Sequence, residues 1–249
     1  PGQLLTLGVD WQQDQIDSTT LYDQTSRRNE GLFGQYQGQW GAHDLQLSLR
    51  RDDNEQYGHH DTATAAWGYG FGNGVRLFAS HGTAFKAANF NDLYYPTSSY
   101  SFSGTTYTYS ANPDLKPEVA KTYGAGFVIT PQFIPGFAMS VDYYKIDLSG
   151  SIDSLTAQTL TDQCYLQQIA SSCSFISTTG GRGVTTPGLA VTSIEIKPTN
   201  FVSLETSGLD LEASYRRQIG AGNFTLRALA SHAIELVTNN GVTLQTDAA

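Results

Sequence analysis

No run of about twenty apolar residues occurs anywhere in this chain, which excludes a helical membrane protein. The exclusion does not reach strands that cross a bilayer, because only alternate residues of such a strand meet lipid. Basic residues are scarce: 14 Lys and Arg stand against 23 Asp and Glu, for a net charge of −9. With no basic cluster to release counterions from phosphates, a nucleic-acid partner is not expected. Methionine occurs once, and the only cysteines are Cys164 and Cys173. An isolated pair among polar residues points to a local disulfide in an oxidising compartment. Two free thiols are the alternative, and metal ligation is disfavoured because no His or third Cys lies nearby. Neither a Ser-His-Asp order nor a metal-binding helix motif stands out, so no catalysis, metal or cofactor is expected. Pro1 is not an initiator, no signal peptide opens the chain, and residues 245–249 stop without a closing strand signal. An internal fragment is therefore expected.

What the chain does have is a rhythm of connections. Short turns at 40–43, 71–75, 130–136 and 217–222 alternate with long loops at 16–28, 53–61, 87–117 and 149–204. A soluble sandwich has no reason to place every long loop at one end. An outer-membrane barrel does, with short periplasmic turns and long external loops.

The segments between alternate apolar with polar. Leu5, Leu7, Val9 and Trp11 share one face of a strand over about 5–15. Leu32, Tyr36 and Trp40 share one over 30–40 with Gly34 and Gly38, opposite Gln35, Gln37 and Gln39. Leu45, Leu47 and Leu49 alternate with Gln46, Ser48 and Arg50. Leucine is a weak strand former, and period two decides the assignment. Further apolar faces follow: Ala63 to Phe71, Val75 to Ala79, Tyr123 to Ile129, Phe137 to Tyr143, Leu209 to Tyr215 and Phe224 to Ala230. The opposite faces carry Asp, Gln, Arg and Ser, which a sandwich would set in solvent and a barrel in a wet lumen. The expectation is an all-β fold: an antiparallel transmembrane β-barrel fragment of about nine or ten meander strands with long extracellular loops. Asp10, Asp52, Asp53 and Asp142 are expected to face the lumen.

Three motifs carry a family resemblance. Ser80-His81-Gly82-Thr83-Ala84-Phe85-Lys86-Ala87-Ala88, followed by Asp92-Leu93-Tyr94, resembles the strand end of TonB-dependent outer-membrane receptors. Ala88 stands where that family usually has proline. Asn112-Pro113-Asp114-Leu115-Lys116-Pro117-Glu118 resembles the family's entry into the next strand, and Ser207-Gly208-Leu209-Asp210-Leu211-Glu212 is similar to a recurring strand. The first half is closest to cobalamin-type receptors, and the second to receptors with a cysteine-clipped loop, grouped with siderophore uptake. The resemblance implies that residues 1–249 are part of a 22-stranded barrel in the bacterial outer membrane, in contact with its lipid. It implies energised uptake of a scarce small molecule such as a ferric siderophore or cobalamin, with TonB engaged through a plug domain that is not found in this chain. Rival readings are a passive porin or adhesin-type barrel and a soluble all-β carbohydrate-binding module.

Candidate ligand contacts lie in the 94–110 loop. Tyr94, Tyr95, Tyr100, Phe102, Tyr107 and Tyr109 are placed to stack on or enclose a ligand. Equally, Tyr pairs would pack on each other in a loop hairpin about Gly104. His59, His60 and Asp61, near Asp52 and Asp53, offer cation donors or simply a solvated loop. Residues 156–169 read as a short external helix, capped by Asp153 or Ser154 and pinned by Cys164–Cys173, serving as a lid or as plain loop stability. Gly180-Gly181-Arg182-Gly183 lacks the Lys of a phosphate loop.

Overall fold

A computed structural model describes residues 2–239 and 244–247. Strands β1 (Gln3–Gln15), β2 (Ser26–Trp40), β3 (His43–Asn54), β4 (Gly58–Gly70) and β5 (Val75–Lys86) make an unbroken meander. An excursion follows, holding α1 (Phe90–Tyr94) and the hairpin of β6 (Ser98–Phe102) and β7 (Thr105–Tyr109). The chain returns as β8 (Glu118–Ile129) and β9 (Phe137–Asp153). A second excursion holds α2 (Ala157–Tyr165), α3 (Ala170–Cys173), β10 (Ile176–Thr178), β11 (Gly181–Arg182) and β12 (Val191–Ile196). The last three strands are β13 (Thr199–Ile219), β14 (Gly222–Asn239) and β15 (Leu244–Asp247).

Ten of these strands form one antiparallel sheet, in the order β1-β2-β3-β4-β5-β8-β9-β13-β14-β15. The sheet is open, with β1 and β15 at its edges. Its register puts the apolar positions of β1 to β5, β8, β9, β13 and β14 on one face. Leu45 pairs with Trp67, Trp67 with Ala79, Ala79 with Ala125, Ala125 with Tyr143 and Tyr143 with Leu209. A slip of one residue would turn a strand's whole apolar set to the other face, so this in-register row is a strong constraint.

That face is not packed into an interior. Leu7 is 73% exposed, Val9 79% and Leu49 68%. A soluble module would bury such residues, so the carbohydrate-binding alternative falls. An outward band against lipid accounts for them. Its short-turn end is rimmed by rings: Tyr36 on Trp40 (5.9 Å), His43 on Tyr69 (4.6 Å) and Tyr69 on Phe71 (4.7 Å). Trp67 Nε1 donates to His43 Nδ1 at 3.1 Å, so the indole N–H is satisfied while its ring meets the apolar side. Such a rim suits the membrane–water boundary of a barrel.

Two clusters of buried apolar side chains lie in the excursions. Ala88, Phe90, Leu93, Tyr94 and Leu115 form one, with Ile16, Tyr22 and Ile152 against it. Leu160, Cys164, Ile176, Ile194 and Ile196 form the other. Leu93 and Ile176 are fully buried, each contributing about 1.5–3 kcal/mol. The two excursions are joined: β12 runs parallel to β7, making a five-stranded sheet in the order β11-β10-β12-β7-β6. The β6–β7 turn is Ser103-Gly104, both at positive φ (49° and 83°), a two-residue connection matched to hairpin twist.

Three expectations need correction. Residues 53–61 are not a long loop: β3 runs to Asn54 and β4 starts at Gly58. Beyond the lipid band outward positions turn polar, so apolar alternation ends while the hydrogen-bonded ladder continues. Asp53 does not face the lumen. It stands beside His59 (3.1 Å), on the face opposite Asp52. The external helix is capped by Thr156, whose side chain accepts from the Thr159 N–H at 3.1 Å, rather than by Asp153 or Ser154.

Candidate functional site

The polar face carries a connected charge network at its long-loop end. Arg50 Nε donates to Asp52 Oδ2 at 2.8 Å, and Arg50 Nη2 to Asp52 Oδ1 at 2.6 Å. The same Nη2 donates to Asp10 at 3.0 Å. Asn29 donates to Asp52 Oδ1 at 2.7 Å, and Asn54 to Asn29 Oδ1 at 3.2 Å. Arg27 donates to Asp14 Oδ2 at 2.9 Å and to the Ala88 carbonyl at 2.7 Å, with its guanidinium 5.1 Å from the Phe90 ring centre. Asp52 is only 3% exposed, and its hydrogen bonds make that burial tolerable. The network lines a cavity of about 390 Å³ that Tyr57 and Phe85 close on the aromatic side. Burial raises the Tyr57 hydroxyl above the usual tyrosine range, and the Asp52 charge adds to that.

Lower on the same face the device repeats. Arg76 Nη2 donates to Asp44 at 2.7 Å, reaching across Gly68 on β4. A Cβ on Gly68 would strike both the Asp44 carboxylate and the Arg76 guanidinium. Glycine thus lets the two charges meet directly; a methyl there would make them shift apart.

A second cavity, of about 420 Å³, opens in the external layer. Asn91, Asp92 and Tyr95 line it from α1 and its end, Tyr109 and Ser110 from the end of β7 and just past it, and Ile196 and Pro198 from the end of β12 and just past it. The Asn89 side chain caps α1 by accepting from the Asp92 N–H at 2.9 Å. Burial pushes the Asp92 carboxyl above the usual aspartate range. Asn200 staples the layer to the sheet: its amide donates to the Lys116 and Gly150 carbonyls, both at 2.7 Å, and accepts from the Lys116 N–H at 2.8 Å. Glu118 accepts from the Ile152 N–H at 2.9 Å and from Ser151 Oγ at 3.2 Å.

The six loop aromatics divide by environment. Tyr94 is buried in the first apolar cluster, and burial raises its hydroxyl. Tyr107 packs against the second cluster and stacks on Tyr100 at 5.1 Å. Tyr95 and Tyr109 line the external cavity. Tyr95, Tyr100, Phe102 and Tyr109 are 47%, 53%, 68% and 44% exposed. Cys164 and Cys173 are bonded, with Cα atoms 4.7 Å apart. His59 pairs with Asp53, whereas the His60 ring lies 4.9 Å from that of Phe85. Successive strand residues point apart, which separates the two imidazoles. Arg182, in the glycine-rich segment, donates to Glu195. The Arg27, Asn29 and Asn54 contributions escaped the sequence reading. On β2 the inward positions Phe33 and Gly31 interrupt the polar period before Asn29 and Arg27, which hid those two.

The family model described as "TonB dependent receptor-like, beta-barrel" matches residues 2–247. The chain belongs to this receptor family. Membership places its ten-stranded wall in the outer membrane of a Gram-negative bacterium. The vitamin B12 transporter BtuB of Vibrio vulnificus is 29% identical over 157 residues, which are 61% of this chain and 23% of that protein. The BtuB of Photobacterium profundum is 31% identical over 140 residues, 54% of this chain and 21% of that one. The chain thus matches less than a quarter of the length of these relatives. A variant of the ferric enterobactin receptor PfeA of Pseudomonas aeruginosa superposes with a TM-score of 0.66 at 18% identity, over 94% of this chain and 33% of that one. The siderophore receptor PirA of Acinetobacter baumannii gives 0.64 at 15% identity, over 95% and 37%. At such identities the likeness shows the fold. These relatives are transporters and receptors rather than enzymes, and the chain is read accordingly.

Proposed function

We propose that this chain is part of the barrel wall of a receptor for active uptake of a scarce small molecule, of the ferric siderophore or cobalamin kind. Energy would come from TonB acting through a plug domain elsewhere in the whole protein. The observation that carries the reading is the family match, which spans both the wall and its external layer. The kinship with vitamin B12 transporters supports cobalamin, and the fold shared with PfeA and PirA supports a siderophore. The family match over residues 2–247 is what favours this reading over a passive porin.

Ligand contact is assigned to Tyr95 and Tyr109, which line the external cavity, with Tyr100 and Phe102 along the neighbouring edge. Tyr94 and Tyr107 support these from beneath. The test uses the full-length receptor in cells that lack other uptake routes, with labelled cobalamin and a ferric catecholate siderophore as separate probes. Uptake of one probe that stops when TonB is deleted is the expected result. Uptake that persists without TonB would identify a passive pore. With the transported probe, Tyr95→Ala and Tyr109→Ala together should weaken binding at least tenfold, about 1.4 kcal/mol. Unchanged affinity would remove the cavity from the ligand path.

A further inference from the structure

The external cavity lies between two excursions that carry little positive charge. Residues 87–117 and 154–198 hold three cations, Lys116, Arg182 and Lys197, and four carboxylates, Asp92, Asp114, Asp162 and Glu195. None of the three cations lines the cavity. Arg182 donates to Glu195. Lys197 stands in sequence between the lining residues Ile196 and Pro198, with its ammonium 5.8 Å from the centre of the Phe175 ring. Lys116 belongs to the foot of the layer, where Asn200 staples its backbone to the sheet. At the start of the first excursion Lys86 pairs with Glu118 at 3.2 Å, and Arg28 stands 3.7 Å from Glu55. Below, on the polar face of the sheet, Arg27 is bonded to Asp14, and Arg50 to Asp10 and Asp52. Apart from Lys116, each of these cations already faces a carboxylate or a ring.

The charge of the cavity itself is acidic and weak. Asp92 is the one carboxylate in its lining, and burial favours its neutral form. Asp153 accepts from the N–H of the lining residue Ser154 at 2.7 Å. Asn91, Ser98 and Ser154 offer amide and hydroxyl groups beside the rings of Tyr95 and Tyr109. Tyr22 fixes part of this wall: its hydroxyl donates to Asn91 Oδ1 at 2.5 Å, and its ring meets that of Tyr95 edge-on at 5.8 Å. An anion entering here sheds water and gains no guanidinium or ammonium in return. A ligand without net charge sheds its water at less cost and finds hydrogen-bonding groups and rings.

We propose that the external cavity selects a polar ligand without net charge and discriminates against anionic metal complexes. A ferric tris-hydroxamate and cyanocobalamin meet that description. A ferric tris-catecholate, a multiply charged anion, does not. The inference rests on the uptake reading above and narrows its ligand class.

The test is ligand binding to the purified full-length receptor in detergent, with cyanocobalamin, a ferric tris-hydroxamate and a ferric tris-catecholate as separate probes. One of the two uncharged probes should bind at least about tenfold more tightly than the catecholate, and which one it is separates the two sources. Its affinity should hold between low and high salt, because no charged contact is there to be screened. Ser98→Arg, which sets a guanidinium on the cavity wall, should strengthen catecholate binding about tenfold and leave the uncharged probe within about twofold. Lys116→Gln should change neither affinity. Tighter binding of the catecholate by the unaltered receptor would overturn the proposal, and the uptake reading would survive if TonB-dependent uptake of that probe were intact. Steep weakening of the uncharged probe by salt would overturn it too. A catecholate preference that vanishes in Lys116→Gln would overturn it and place the anion on Lys116. Binding of none of the three, with no TonB-dependent uptake, would remove the uptake reading and this inference with it.

Discussion

Nη2 of Arg50 lies 3.0 Å from both carboxylate oxygens of Asp10, although a whole strand runs between the two residues. The contact exists because the intervening position, Gly31, has no side chain. A Cβ there would collide with both Asp10 Oδ1 and Arg50 Nη2. Gly31→Ala should therefore push Asp10 and Arg50 apart within the network that also holds Asp52 and Asn29, at a cost of roughly 0.2–1 kcal/mol for so exposed a pair. Refolding of the full-length barrel into lipid, followed by denaturant titration, measures it. An unchanged midpoint would mean that the network is not coupled across β2.

The two faces of β3 should respond oppositely to charge. Leu47 lies on the lipid face between Tyr36 and Ala65, and Ser48 lies on the polar face between Gln35 and Thr64. Leu47→Arg should cost about 2–4 kcal/mol if near the bilayer midplane, and Ser48→Arg much less. The same refolding titration reads both, and equal costs would contradict the assignment of faces.

Acid should loosen the external layer. Burial raises the Glu195 carboxyl, but hydrogen bonds from Arg182 and Ser110, with the charges of Arg182 and Lys197, outweigh it and hold the carboxyl below the ordinary glutamate range. A depressed folded-state value contributes stability above the unfolded value, and that contribution is lost as pH falls through the folded one. The Ser110–Glu195 link between the two excursions should hold at neutral pH and fail only once the pH has dropped below the ordinary glutamate range. Amide exchange in β7 and β12 should quicken there in the native protein and be less pH-sensitive in Glu195→Gln. Identical pH profiles for the two would exclude Glu195 as the responsible group.

Cleaving the Cys164–Cys173 bond should affect the layer alone. The bond closes a loop of sequence separation 9, beside the cluster of Leu160 and Ile176. Cys173→Ser should cost about 2–3 kcal/mol on the chain-entropy account. Protease nicking in the 154–198 excursion should rise while the sheet stays protected. Peptide mass mapping without reductant should recover the two cysteines as one linked species, and free thiols in exported protein would refute the linkage.

The sheet was legible because its physics is local. Lipid on one side and water on the other impose period two on each strand, and the four short turns mark one end of the barrel. Leu5, Leu7, Val9 and Trp11 could be placed on one face from their spacing alone. Legibility failed where the solvent asymmetry ends. Above the lipid band both faces meet water, so residues 53–61 read as loop although the ladder continues to Asn54 and resumes at Gly58. The side of Asp53 was missed for the same reason.

The external layer was beyond sequence reading because its contacts join distant segments. The parallel pairing of Tyr107 with Ile194 links two excursions through a hydrogen-bonded ladder that no local pattern announces. It moves Tyr107 toward a buried cluster and leaves Tyr109 on a cavity. Alternation and turn chemistry determined which residues of each strand share a face. Only the tertiary structure decided which loop aromatics stay open to a ligand, because burial there depends on what the other excursion lays over them.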